Sequence, residues 1–168
     1  MPQTSLEKLN SLPFDALLLM LLDYFRPALE WQAVSLSADE ARGIAAALAE
    51  GRRCRSASPL VAAVAEMVET QLRLLRDRWG LDLAGALRAD MSDIGPWTTT
   101  AEYIEVANIK TEAETQIVLG AALLAAAGRR EYADYLIDAV ECADGDSDVD
   151  AAIARRVLLE LRGIDGAS

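Results

Sequence analysis

Apolar residues recur at intervals of three and four along almost the whole chain, and no stretch alternates for long enough to define a strand. The longest unbroken apolar run, residues 16–22, is bracketed by Asp15 and Asp23. Its seven positions fall far short of the roughly 20 that a membrane span needs. The run is therefore read as a core helix inside a segment from Leu6 to Gln32, with Pro13 favouring a start near Phe14 and Pro27 ending or kinking it after Arg26.

Boundary signals mark the rest of the chain. Ser37 with Glu40 forms a capping box that opens a helix to Glu50, closed by Gly51. Ser58-Pro59 supplies an N-cap and a first-turn proline for a helix to Trp79, with Gly80 as its left-handed stop. A short helix spans Leu83 to Ala89, and residues 92–96 form a turn. Thr99 with Glu102 is a second capping box, opening a helix that either continues to Ala127 or restarts at Thr111–Glu114. Gly128 closes it, Arg130–Ala143 follows, and Ser147 caps a last helix from Asp148 to Arg162, ending at Gly163. The expectation is an all-α fold, a compact bundle of six to eight helices arranged mostly as antiparallel hairpins. It forms a single domain over residues 1–168, with a frayed tail at about 164–168. Helices 14–26 and 112–127 should sit at its centre, with Gly120 and the surrounding alanines allowing close helix approach.

Composition narrows the chemistry. The chain is 52% hydrophobic but only 5% aromatic, with Ala and Leu dominant. It contains no histidine, which removes the commonest general base, metal ligand and pH switch near neutrality. Cys54 and Cys142 lack CxxC spacing and read as reduced thiols of a cytoplasmic protein. Sixteen basic residues against 27 acidic ones give a net charge of −11. Residues 91–168 hold six basic and fifteen acidic residues, which argues against binding nucleic-acid phosphates there.

Two stretches have family resemblances. Residues 116–144 resemble a tetratricopeptide-repeat hairpin, with Leu119-Gly120 at its Leu-Gly step, Gly128 at its turn and Ala133 at the helix contact. The resemblance implies a helical hairpin with close backbone contact, and no second copy follows at the roughly 34-residue period of such arrays. Separately, Glu102 and Glu105 with Glu131 and Asp134 resemble the ExxE…ExxD pattern of the all-α nucleotide pyrophosphatases of the MazG type. That resemblance implies Mg²⁺ held by carboxylates on adjacent helices and hydrolysis of nucleoside triphosphates. Two carboxylates three residues apart share a helix face, and Mg²⁺ takes hard oxygen ligands. The implication requires a break near Lys110-Thr111, because one unbroken helix would hold the pairs roughly 33 Å apart at 1.5 Å per residue.

Three further features carry weaker signals. The aspartates at 144, 146, 148 and 150 echo a calcium loop, but Val149 and Arg155 stand where that loop needs Gly and Glu. Arg52, Arg53 and Arg55 around Cys54 suit either an anionic group or the negative end of the preceding helix. Trp31 and Trp97 flank turns and are the aromatic residues best placed for partial exposure and partner contact.

The leading expectation is a non-enzymatic helical protein, an adaptor, dedicated chaperone or immunity or inhibitor protein, that needs no cofactor. It would meet another protein, one with a basic surface, through Asp134, Asp138 and Glu141, with homodimerisation a further possibility and no binding to nucleic acid or membrane. The Mg²⁺-dependent pyrophosphohydrolase is the alternative from a different class.

Overall fold

The computed structural model describes residues 5–143 and 148–166. Within them the protein is an all-helical bundle of nine α-helical segments. They are α1 (Ser5–Ser11), α2 (Phe14–Trp31), α3 (Ala38–Ala49), α4 (Ser58–Trp79), α5 (Leu83–Arg88), α6 (Met91–Ile94), α7 (Thr100–Ala126), α8 (Ala133–Glu141) and α9 (Val149–Gly166). Short 3₁₀ turns, Arg55–Ala57 and Arg130–Tyr132, precede α4 and α8. The count exceeds the six to eight expected because α1 is separate from α2 and residues 91–94, expected partly in a turn, close one helical turn capped by Asp90.

One buried cluster draws side chains from every helix except α6. Its axis is the second half of α7. Every residue from Ile117 to Ala126 is buried, so this rod has no solvent face, and α2, α4, α5, α8 and α9 all pack against α7. Small side chains make that possible. A Cβ at Gly120 would overlap Val68 Cγ2 and stand 3.4 Å from Val64 Cγ1 and 3.5 Å from Phe25 Cζ. Three helices thus meet at a residue with no side chain.

The caps explain most of the boundaries. Ser37 Oγ accepts from Glu40 N (3.1 Å) at α3, and Thr99 Oγ1 accepts from Glu102 N (3.0 Å) at α7. Gly80 (φ 67°) and Gly128 (φ 100°) are left-handed stops. Three parts of this pattern differ from expectation. Pro27 does not end α2. Its ring is exposed, and the helix continues to Trp31 because Leu29, fully buried, seats the last turn in the core. The stop is instead Ala33, left-handed at φ 59°, with Val34 N donating to Leu29 O (2.9 Å). Ser58 is the first residue of α4 and not its N-cap, since the preceding 3₁₀ turn feeds directly into the helix. The segment Arg130–Ala143 is a 3₁₀ turn followed by the shorter α8.

The end of the chain also departs from expectation. Ser147 lies outside the described residues, and Asp148 Oδ1 caps α9 by accepting from Ala151 N (3.1 Å). Helix α9 continues through Gly163 to Gly166, past its expected end, and residues 167–168 of the expected tail lie outside the described residues. Ile164 packs on the core and abuts Gly51, and Arg130 pairs with Asp165 (3.0 Å). Further along α9, the Arg156 guanidinium donates to three carbonyls at the end of α1: Leu9 (3.2 Å), Asn10 (3.2 Å) and Leu12 (2.6 Å). No helix among the described residues is long and apolar enough to cross a membrane.

The Gly120 contact is directly testable. Gly120→Ala adds about 1 kcal/mol of helix propensity but forces a methyl into Val68, and overpacking of about 1–3 kcal/mol should win. Urea denaturation is expected to show a net loss of stability. Gly43→Ala, in α3 with nothing within 4 Å of the new methyl, should raise stability by about 0.5–1 kcal/mol in the same assay.

Candidate interaction surface on helix α8

Helix α7 runs unbroken from Thr100 to Ala126. There is no break at Lys110-Thr111, so Glu105 stands roughly 30 Å of helix before the turn into α8. Glu102 is occupied at the start of α7, where its carboxylate accepts from the Thr98 backbone N–H (3.3 Å) and the Thr98 hydroxyl. Glu131, at the far end, pairs with Arg129 (2.6 Å), which holds its carboxyl below the usual carboxylate range. The structure therefore does not bring Glu102 and Glu105 to Glu131 and Asp134. Among the described residues no three acidic or sulfur side chains gather at metal-ligand spacing. Of the calcium-like loop, Asp144 to Ser147 lie outside the described residues.

The acidic residues of α8 do share a face. Asp134, Asp138 and Glu141 follow a 4–3 spacing on one side of the helix, and none forms an ion pair with a described residue. Asp134 and Glu141 are exposed, whereas Asp138 is half-buried. Burial pushes the Asp138 carboxyl above its ordinary range, and Asp82, Glu141 and Asp134 add to the push while Arg88 opposes it. Asp82 comes from the N-cap of α5, where its Oδ1 accepts from Gly85 N (2.7 Å). Two helices thus crowd like charge into one place.

Beside this face lies an open groove of about 500 Å³ between the end of α4, the start of α5 and α8. Leu72 and Leu81 supply apolar wall, and Glu69, Arg76, Asp82 and Tyr135 supply polar rim. Glu69 accepts from the Tyr132 hydroxyl (3.1 Å), and Arg129 stacks 5.3 Å over the Tyr132 ring. Burial raises the Tyr135 phenol, with Glu69, Asp134 and Asp138 all acting in the same direction. Sequence reading missed the groove because Glu69, Asp82 and Tyr135 belong to three helices that only the packed fold brings together.

The tryptophans divide. Trp31 is 91% exposed at the end of α2. Trp97 is half-buried, edge-on to Tyr103 at 5.7 Å, with its indole N–H given to Met91 O (3.0 Å). Arg53 and Arg55 are exposed, Arg52 pairs with Glu50 (2.6 Å), and Cys54 and Cys142 are both free thiols.

A second polar cluster lies where α7 meets the start of α9. Lys110, the one buried charged residue among those described, donates to Glu114 (2.6 Å), and Thr115 donates to Asp150 (2.8 Å). Burial raises the Glu114 carboxyl and outweighs Lys110, with Asp150 and Asp148 adding to the rise. Burial and Asp148 likewise raise Asp150 against the Thr115 hydrogen bond. The i, i+4 spacing of Lys110 and Glu114 is legible in the sequence, but Asp150 is a tertiary neighbour.

These raised carboxyls fix the sign of one pH effect. The folded state binds their protons more tightly than the unfolded chain, so their contribution to stability is full below the ordinary carboxylate range. It is lost as pH rises through the raised values. From about pH 4, the ordinary carboxylate range, up to about pH 7 the protein should lose stability from this source. Asp150→Asn, which keeps an acceptor for Thr115, should flatten that descent. Urea midpoints for both proteins at the two pH values are the check, and parallel curves would count against the assignment.

Compared with known protein families, with curated proteins and with solved structures, the chain matches none of them.

Proposed function

We propose that this is a non-enzymatic, cytoplasmic protein that binds another protein through the acidic face of α8. An adaptor, a dedicated chaperone and an immunity or inhibitor protein all act in this way. The observation that carries the reading is the crowding around Asp138. Four carboxylates from α8 and the N-cap of α5 lie together, burial and three like charges outweigh Arg88 in opposing ionisation of Asp138, and no described cation forms an ion pair with the three α8 acids. A basic surface laid over them would relieve that repulsion, so association gains from an arrangement that costs the free protein. Lining one edge of the face with a groove adds shape to the charge. The fully exposed indole of Trp31 is a second contact candidate at a separate position.

Affinity capture from the native host, with bound proteins identified by mass spectrometry, tests the reading. Asp134→Lys, Asp138→Lys and Glu141→Lys combined should abolish capture of a specific partner while circular dichroism shows the helices intact. Reversal of an exposed acid elsewhere, Glu30→Lys on α2, should leave capture unchanged. Raising the salt from about 0.05 M to about 0.3 M, which shortens the screening length from about 14 Å to about 6 Å, should weaken it. Capture that survives the triple reversal removes the reading.

A further inference from the structure

We propose that the groove between α4, the start of α5 and α8 receives an arginine side chain from a basic segment of the partner protein. The inference rests on the protein-binding reading above and names the chemistry of the contact.

The rim charges and the walls select the occupant together. Glu69 from α4 and Asp82 from the N-cap of α5 line the groove, Tyr135 of α8 offers an aromatic ring within it, and Asp138 acts on both Asp82 and Tyr135 from its edge. These carboxylates ring the groove without converging on a point, since no three acidic side chains among the described residues reach metal-ligand spacing. A dispersed cation fits that layout better than a compact one. Guanidinium is planar, spreads its charge over three nitrogens, forks between carboxylates and stacks on aromatic faces. The three-carbon stem of arginine then lies against Leu72 and Leu81. The cations already present are engaged or peripheral: Arg76 pairs with its neighbour Asp77 (3.0 Å), and Arg129 is held by Glu131 and the Tyr132 ring. With Arg76 and Arg88 both counted against Glu69, Asp82 and Asp138, the groove and its Asp138 edge remain net negative.

The probe is N-acetyl-arginine amide, added to the isotopically labelled full chain and followed by amide NMR shifts. Saturable shifts are expected at Leu72, Leu81 and Tyr135. The matching citrulline amide, similar in shape but uncharged, should produce none, and the lysine amide should bind several-fold more weakly. Glu69→Gln with Tyr135→Leu should weaken arginine binding about tenfold, the size of one charge-assisted hydrogen bond, without altering circular dichroism. Glu69→Gln keeps an acceptor for Tyr132, so the neighbouring contact survives. Absence of saturable shifts, equal binding of citrulline, or indifference to the double substitution overturns the proposal. In affinity capture, loss with the α8 triple reversal but retention with the Glu69/Tyr135 double variant sinks the arginine groove alone. Retention with both sinks the reading beneath it as well.

Discussion

The approach of α4 and α2 to α7 at Gly120 sets the spacing on which the remaining packing depends. Val64, Val68 and Phe25 fill the space a side chain would take, and the alanines that follow keep the surface of α7 low up to Gly128. A helix buried on all sides must be contacted all round, and the other helices divide that circumference among them. Interiors pack at crystal-like density, so a bulkier residue at the centre would displace several helices at once.

The same constraint decides where charge can go. Because the second half of α7 takes the interior, that helix carries no acidic residue beyond Glu114, and the other acids lie on the outer faces and ends of the remaining helices. Most are exposed to solvent. Around Asp138 and around Glu114 and Asp150, however, packing brings carboxylates together with partial loss of water. The two clusters differ in kind. The α7–α9 cluster has an internal cation in Lys110 and lies at a helix seam, whereas the α8 cluster faces outward beside an open groove.

What the sequence revealed follows the range of the interactions involved. Capping at Ser37 and Thr99, glycine stops at Gly80 and Gly128 and the central place of residues 112–127 are set by neighbours within a few positions, and all were legible. The errors share a cause. Pro27 was overridden by burial of Leu29 two residues later, Ala33 took a conformation that favours glycine, and α9 was prolonged by Ile164 seating near Gly51. In each, tertiary packing outweighed a local rule. The candidate surface was half legible. Asp134, Asp138 and Glu141 declare themselves by helical spacing, but Asp82, Glu69 and the groove do not. The ExxE…ExxD spacing was readable too, yet spacing along the chain does not report the length of unbroken helix between its two halves.

Arg156 ties the first helix to the last. Helix α1 has seven residues, too few to hold together alone in water, and its terminal carbonyls receive their donors from a guanidinium more than 140 positions away. That side chain is simultaneously anchored to Glu160 on its own helix (3.0 Å). Helix α1 consequently takes the donors for its last carbonyls from α9, so the docking of the final helix and the termination of the first are one contact.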